Sequence, residues 1–276
     1  MPAGIGLMMQ LLFFFLFAAI AWVNLPLSAS AAAGLQSHRA VYRMVLATAE
    51  RSSDVVSANG IMIYRFSRTC DGWTVENQTF LRMFYDDDTV SDTLWSYASW
   101  EGRDGRRFRF HARFDQDGKT IEKLEGDAEL KANGKGGHAR FREPEERRIP
   151  LPAGTVFPTA HLREILAAAG SGKHALNRTV FDGASADSPY VVNALFGPVA
   201  PRRAEAAATA FKLPVTPAWW MQMAFFPLGD RSGEPEFEVG AEYRADGIAD
   251  AIVQHFDDFS LDVRLREIQL LASPDC

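Results

Sequence analysis

The sequence has little cysteine, no excess of positive charge and no clustered histidines. Its two cysteines, Cys70 and Cys276, have no further cysteine or histidine nearby at the spacing that a zinc site requires. The six histidines are scattered without an H-x-x-x-H pair. A formal net charge of −6 argues against nucleic acid as a partner, because such binding depends on a net basic surface. We therefore predict neither a metal site nor a nucleic-acid partner.

Familiar catalytic motifs are also missing. The segment Gly170–Lys173 resembles part of a phosphate-binding loop, but Ala167 replaces its first glycine and His174 its serine or threonine. The sequence contains no G-x-S-x-G nucleophile elbow. We predict no catalytic residue and no cofactor, although a site assembled from distant residues stays open.

The first residues form an almost uninterrupted apolar run, Leu7–Val23, followed by Pro26 and the small residues Ala29–Ala33. An apolar core followed by small residues is typical of a secretory signal peptide. We predict a signal peptide at residues 1–33 and an exported, soluble mature protein at residues 34–276. The alternative is an uncleaved membrane anchor, because the run is near the lower length limit for crossing a bilayer, about 17 residues.

Beyond this run the pattern predicts an all-β protein. Segments rich in β-branched and aromatic residues alternate with short polar breaks such as Asp86–Asp88. We interpret Pro144–Pro152 as a charged connection between strands. We predict that residues 34–276 form one antiparallel β domain that contains one main helix. The predicted strands are Ala40–Thr48, Val55–Arg68, Trp73–Tyr85, Thr89–Trp100, Arg107–Phe114, Arg178–Asp182, Tyr190–Phe196, Trp219–Phe226, Glu236–Tyr243, Ala251–Phe256 and Phe259–Leu271.

The most regular strand is Arg107–Phe114, in which apolar and charged residues alternate. Asp117-Gly118 after it suits a two-residue type I′ turn. Such a turn places Phe114 opposite Ile121, but further along it would place an apolar residue opposite an acidic one. We therefore expect a bulge or a strand end in this hairpin.

One segment breaks the β pattern, because its apolar residues recur at i, i+3, i+4 and i+7 and so form one face of a helix. Pro158 suits the first turn of this helix and Gly170 the position just past its end. The alanine-rich segment Pro201–Phe211 predicts a second, short helix. The apolar residues of the main helix are Leu162, Ile165, Leu166 and Ala169.

The two cysteines indicate one disulfide, Cys70–Cys276, if the protein is exported to an oxidising compartment. The bridge would close a loop of roughly 200 residues and tie the last predicted strand to an early one. The alternative is a reactive or metal-binding thiol pair.

The segment Trp219–Phe226 is apolar on both faces, whereas an antiparallel strand usually has one wet face. Either this strand is sandwiched in the core, or one of its faces lines an apolar pocket, for which tryptophan and methionine form an adaptable lining. The candidate groove residues are Trp219, Trp220, Met221, Met223 and Phe225, with Leu162 and Ile165 of the helix.

Three other features have competing interpretations. A ladder of basic residues could bind anionic lipid or polysaccharide, but a solvated sheet face paired with acids such as Glu122 is favoured. Asp182 could be a functional carboxylate, but a role in a turn is favoured. His161, beside the apolar helical face, is favoured as a satisfied structural histidine. The ladder consists of Arg107, Arg109 and Arg113, with His111 between them.

Three segments and the cysteine pair carry a family resemblance. The segments are Leu151–His161, Val180–Gly183 and Trp219–Pro227. From about His38 onward the chain resembles the EipB family of periplasmic cell-envelope integrity proteins. The resemblance implies a large antiparallel β-spiral, a half-barrel-like sheet with one main α-helix packed in its concavity, similar to periplasmic lipoprotein carriers such as LolA. It also implies a periplasmic location, a disulfide matching Cys70–Cys276, and a tetratricopeptide-repeat protein as a possible partner.

Our leading hypothesis is a non-catalytic periplasmic protein that maintains cell-envelope integrity by binding a lipid, lipoprotein or peptide in an apolar groove. The alternatives are a hydrolase of envelope lipid or cell-wall material and a purely structural interaction module. A pocket where serine or cysteine, histidine and carboxylate converge would favour the hydrolase. An apolar lining without them would favour the binding protein.

Overall fold

The computed structural model describes residues 34–186, 188–229 and 233–276. The predicted signal peptide, residues 1–33, lies outside the described residues. Within the described ranges, no helix is long and apolar enough to cross a membrane.

Strands dominate the described residues, which also contain two α-helices and a single 3-10 turn at Ala132–Gly134. The helices are α1 (Pro158–Gly170) and α2 (Pro201–Ala210). The strands are β1 (His38–Ala49), β2 (Val55–Arg68), β3 (Gly72–Tyr85), β4 (Val90–Gly102), β5 (Arg107–Gln116), β6 (Lys119–Leu130), β7 (Gly137–Glu143), β8 (Arg147–Leu151), β9 (Ala175–Val180), β10 (Tyr190–Pro198), β11 (Ala218–Pro227), β12 (Phe237–Arg244), β13 (Ala249–His255) and β14 (Phe259–Leu270).

These strands form one 14-stranded antiparallel sheet in the order β8-β7-β6-β5-β4-β3-β2-β1-β14-β13-β12-β11-β10-β9. Strands that follow each other along the chain are neighbours, with one exception. β8 and β9 lie at the two free edges of the described sheet, and α1 lies between them in the chain. The first and last strands meet in the middle, where β1 pairs with β14.

The sheet curls around α1. Helix α1 packs on β9 and β10, while its first turn also contacts Glu101 at the end of β4. In a flat sheet β4 and β10 would be about 38 Å apart, at about 4.8 Å per strand, whereas a helix of 13 residues is only about 20 Å long. The sheet is therefore curved with α1 in its concavity, which confirms the predicted fold class.

Buried aromatic side chains hold the two ends of the sheet together. Phe157 precedes α1 and Phe181 follows β9, and neither is accessible to solvent. The Phe157 ring stacks on Phe108 of β5 at 4.8 Å between centroids, and the Phe181 ring meets Phe110 edge-on at 5.5 Å. This cluster packs β5 against the chain on either side of α1.

The β5–β6 hairpin contains the expected bulge. Asp117 and Gly118 both have positive φ, 51° and 76°, as a type I′ turn requires. The register then shifts so that Ile121 has no partner and Phe114 lies opposite Glu122. The pairing of Phe114 with Ile121 was therefore wrong, because the bulge falls directly after the turn.

The bulge brings Phe110 opposite a glycine instead of an acidic residue. Phe110 faces Gly126 of β6, and a Cβ atom at that glycine would lie only 2.5 Å from the Phe110 ring. The missing side chain of Gly126 thus leaves the space that this buried ring fills.

The segment Arg147–Leu151 is an edge strand, so interpreting Pro144–Pro152 as a connection was wrong. Two arginines and Pro150 make it a poor central strand, but an edge strand is paired on one side only. Charged residues and proline are common there because they hinder pairing with another chain.

Both predicted helices are present, within one residue of their predicted ends. Gly170 is the last residue of α1 instead of the first beyond it, and the backbone N–H of Ser171 closes the final turn.

Cys70 and Cys276 form the predicted disulfide, 206 residues apart in sequence. Cys70 follows β2, and Cys276 follows β14. Nearby, the Leu271 N–H donates to the Ser37 carbonyl at 2.8 Å. The bridge therefore fastens the end of the chain beside the β1–β14 pair in the middle of the sheet.

Candidate functional site

The concave face of the sheet is the candidate site, because it carries large apolar side chains that stay partly accessible. Tyr64 on β2, Trp95 on β4, Met223 on β11 and Ile252 on β13 each pack against a cluster of buried residues without being buried themselves. Strand alternation accounts for their direction, since buried residues occupy the positions two away along the same strands, as Met62 and Phe66 do beside Tyr64.

A few uncharged polar groups lie on the same face. The Thr79 hydroxyl donates to Asn77 Oδ1 at 2.9 Å, and Asn77 Nδ2 donates to the sulfur of Met62 at 3.3 Å. Gln254 of β13 faces the same way, since it lies opposite the buried Leu261. These groups could orient a ligand that is mainly apolar but has a polar end.

Four tyrosines on this face remain neutral at physiological pH. Desolvation of the phenolic hydroxyl groups is the main cause that raises the pKa of Tyr42, Tyr64, Tyr97 and Tyr243 above the ordinary tyrosine value. The Tyr42 hydroxyl donates to the carbonyl of Ala249 at 2.9 Å. These hydroxyls thus act as hydrogen-bonding groups and add no charge to the interior.

Six of the seven predicted groove residues lie in the interior, mostly where α1 covers it. Met221 and Ile165 are each 1% exposed and belong to one buried cluster. Leu162, Trp219 and Met223 pack at the edge of that cluster. Phe225 belongs to the neighbouring cluster, where its ring stacks on Phe237 at 4.3 Å. Whether any of these residues bind a ligand stays a prediction.

Trp220 faces the opposite side of the sheet. Its side chain is 46% exposed and covers Gly197 of β10, where an added Cβ would lie 2.9 Å from the indole ring. Neighbouring residues on a strand point to opposite faces. Trp220 is therefore not part of the interior wall.

Glu101 is a buried interior residue that the sequence analysis missed. Its carboxylate oxygens accept the backbone N–H groups of Thr159 at 2.7 Å and Ala160 at 2.9 Å. Burial raises its pKa to about 7, against the opposing effect of these two hydrogen bonds and of the Arg163 charge. The signal in the sequence was its register, because Glu101 shares the inward face of β4 with the buried Tyr97.

His161 is buried in the first half of α1, with 6% of its surface exposed. Its Nε2 atom has no hydrogen-bond partner among the described residues. Burial, reinforced by the nearby Arg178 charge, lowers its pKa to about 4. The expectation that all hydrogen-bonding atoms of His161 are satisfied was therefore wrong for Nε2. Within the described ranges, no hydroxyl or thiol is hydrogen-bonded to Nε2, so His161 forms no nucleophile–histidine pair there.

The basic ladder lies on the outer, convex face and is largely paired. Arg113 binds Asp115 of its own strand at 2.8 Å, and His111 lies 3.8 Å from Glu125. The partner of Arg113 is thus Asp115 instead of Glu122. Arg107 and Arg109 lie over the Trp100 ring, 5.4 and 5.3 Å from its centroid.

Asp182 serves the turn after β9. Its Oδ1 atom accepts the Ala184 N–H at 3.0 Å, and its own N–H donates to the Ser188 hydroxyl at 3.2 Å. Its backbone carbonyl accepts the Tyr97 hydroxyl at 2.7 Å. These contacts favour the structural interpretation of this carboxylate.

Comparison with known proteins reveals relatives that span most of this chain. The chain is 26% identical over 246 residues to the cell envelope integrity protein EipB of Brucella abortus, covering 88% of this chain and 87% of that protein. A crystal structure of a beta-barrel-like protein with a domain of unknown function, also from Brucella abortus, superposes with a TM-score of 0.80 at 24% identity. It covers 87% of this chain and 100% of that one, and it supports the fold.

The profile of the family described as EipB-like matches residues 29–272, which include all fourteen strands and both helices. On this match, the chain belongs to the EipB-like family.

Proposed function

We propose that this protein acts in the periplasm to maintain the integrity of the cell envelope. We further propose that it does so without catalysis, by holding an apolar ligand on the concave face of the sheet. The ligand class is the acyl chain of a lipid or lipoprotein, or an apolar peptide. A tetratricopeptide-repeat protein remains its proposed functional partner.

One observation carries the ligand proposal. Helix α1 packs mainly on β9 and β10 and reaches β4 at Glu101, whereas Tyr64, Trp95 and Ile252 remain partly accessible elsewhere on the concave face. Water-accessible aromatic and aliphatic surface inside a curved sheet is costly unless an apolar partner covers it. The name of the Brucella abortus relative supports the envelope role.

The polar groups of the interior support binding over hydrolysis. Both carboxylate oxygens of Glu101 accept backbone N–H groups of α1. Burial of His161 disfavours its protonated, positively charged form. The Tyr97 hydroxyl is committed to a backbone carbonyl. These groups thus stabilise the wall of the site and are not arranged around a nucleophile.

The test compares a substitution that fills the interior with one on the outer face. Ile252→Trp places an indole on the concave face, whereas Leu195→Trp places one at an outward, 57% exposed position of β10. We expect Ile252→Trp to bind the fluorescent apolar probe N-phenyl-1-naphthylamine at least tenfold more weakly than the wild type, and Leu195→Trp to bind it normally. Circular dichroism checks that both variants fold.

Lipid extraction and mass spectrometry of protein purified from its native envelope then identify the ligand. Equal probe binding by both folded variants would contradict an interior site. Turnover of phospholipid or peptidoglycan by the purified protein would contradict the non-catalytic proposal.

A further inference from the structure

The convex face of the sheet carries a row of exposed apolar side chains that is independent of the interior. Ile61, Phe80 and Leu94 are 52%, 43% and 43% exposed. They lie directly opposite one another on β2, β3 and β4. Such a row costs hydration free energy on a free surface and typically marks an interaction site.

A shallow channel runs beside this row, across the strands. Its floor is formed by Ile63, Gln78 and Ser96, which are the next outward residues along the same three strands. The far wall is formed by Arg65, Glu76 and Ala98. The depression has a volume of about 350 Å³ and extends to Arg39 of β1 and His111 of β5.

The dimensions of the channel suit an α-helix. Its walls are four residues apart along each strand, which is about 13 Å at 3.3 Å per residue, and a helix with its side chains is about 10–12 Å across. From β1 to β5 the channel is about 19 Å long, at about 4.8 Å per strand. This length equals about 13 residues of helix.

The β1 end of the channel carries an excess of positive charge, because three arginines lie there against the single carboxylate of Glu76, which is opposite Arg65. Arg39 lies directly opposite Arg65, and Arg43 lies opposite both Ile61 and Arg264. Like charges facing each other across strands destabilise a sheet. Arg264 is neutralised by Asp262 at 2.7 Å, but Arg39, Arg43 and Arg65 take part in none of the ion pairs found in the described ranges.

We propose that this channel docks an amphipathic, acidic helix of a partner protein. Its apolar face covers Ile61, Phe80 and Leu94, and its carboxylates neutralise the arginines at the β1 end. An anionic bilayer is a poorer fit, because a broad, flat lipid surface cannot enter the channel. This docking surface lies on the face opposite to the proposed ligand site, so either proposal can fail alone.

The test uses a photo-crosslinking residue in cells that produce the full-length protein. Phe80→p-benzoylphenylalanine places the crosslinker in the apolar row, and the same replacement at Leu195, on the convex side of β10, is the matched control. We expect crosslinks at position 80, and not at 195, to a protein segment with apolar residues at i, i+3, i+4 and i+7 and with an excess of aspartate and glutamate. Mass spectrometry of the digested adducts identifies the segment.

A second variant tests the charge. Arg39→Gln with Arg65→Gln, combined with the crosslinker at position 80, should reduce the adduct at least fivefold while the thermal midpoint stays unchanged. A lipid adduct, an adduct to a second copy of this chain, equal adducts at both positions, or no adduct at position 80 would each overturn the proposal. An adduct that survives the double arginine substitution would overturn it as well.

Discussion

The carboxylate of Glu101 accepts the backbone N–H of Thr159 at 2.7 Å, although the two residues are 58 positions apart. Helix α1 begins after Phe157, whose side chain offers no cap, and a proline fills its first position. The free N–H groups of the first turn are therefore satisfied from the sheet instead of from the local sequence. Glu101 thereby both caps α1 and fixes its position in the concavity.

Replacing Glu101 by alanine should lower the free energy of unfolding by at least about 3 kcal/mol. The substitution removes a helix cap, worth about 1 kcal/mol, and leaves buried N–H groups without partners, at about 1–3 kcal/mol each. Urea denaturation measures the change. Glu267→Ala, an exposed glutamate on β14, is the control and should change stability by less than about 0.5 kcal/mol. Equal stability of the two variants would contradict the capping role.

The same carboxyl group should make stability depend on pH. Burial raises its pKa to about 7 in the folded protein, from an ordinary value of 4.5, so the folded state binds this proton more tightly. Its contribution to stability is present below pH 4.5 and is lost as the pH rises through 7, by at most about 1.4 kcal/mol per pH unit. The stability of the wild type relative to Glu101→Gln, which cannot titrate, should fall between these values. A difference that stays constant over this range would show that Glu101 does not titrate there.

His161 should make stability depend on pH in the direction opposite to Glu101. Burial lowers its pKa to about 4, so its contribution is present above pH 6.5 and is lost as the pH falls through 4. Relative to His161→Leu, the wild type should lose stability on acidification. At pH 7 the leucine variant should be at least as stable as the wild type, because it removes an unpartnered buried nitrogen. Denaturation of both proteins across pH 4–7 measures the difference in stability. A wild type that becomes more stable relative to His161→Leu as the pH falls would refute the prediction.

Breaking the disulfide should destabilise the protein strongly. The bridge closes a loop of 206 residues, for which chain entropy gives an upper figure of about 5 kcal/mol. Cys70→Ser should lower the thermal midpoint by roughly 10 °C, and reductant should lower the wild type equally without affecting the variant. Calorimetry measures both. Two free thiols titrated in protein isolated from cells under conditions that trap thiols would rule out the bridge in the cell.

The two adjacent tryptophans should respond differently to truncation. Trp219 packs against the α1 cluster, so Trp219→Ala should cost about 3 kcal/mol by leaving a cavity. Trp220 is outward and 46% exposed, so Trp220→Ala should cost about 1 kcal/mol. Chemical denaturation of the two variants tests this asymmetry. Equal losses would mean that both faces of β11 are core.

The sequence allowed most elements to be predicted where one residue pattern dominates. The alternation of β5, the turn at Asp117-Gly118 and the apolar face of α1 are local signals, and the structure contains all three. The bulge at Ile121 was expected but not located, because its position depends on which residues of β6 pack against the Phe110 ring. β8 was missed because the arginines and proline that protect a sheet edge resemble those of a loop.

The interior site was only partly predictable. Trp219–Phe225 drew attention because both faces of that strand are apolar, but strand alternation alone could not say which face meets α1. The capping pair of Glu101 and Thr159 joins distant parts of the chain, and no pattern along the sequence relates them. The partly accessible Tyr64, Trp95 and Ile252 resemble ordinary strand residues until the curl of the sheet brings them to one surface.

The placement of the two free edges determines how the curl of this sheet is closed. The chain meets itself at β1 and β14, where the two strands pair along most of their length, so backbone hydrogen bonds hold the middle of the sheet. Beside β9, by contrast, the chain is held by the short bridge between Val156 and Val180, and Arg147 of β8 reaches across to the Ala186 carbonyl at 3.1 Å. Among the described residues no strand ladder joins β8 to β9, so this side of the curl is closed by side chains, chiefly the buried cluster around Phe110 and Phe181. Aromatic packing along this seam therefore sets the radius of curvature of the sheet, whereas backbone hydrogen bonds set its width.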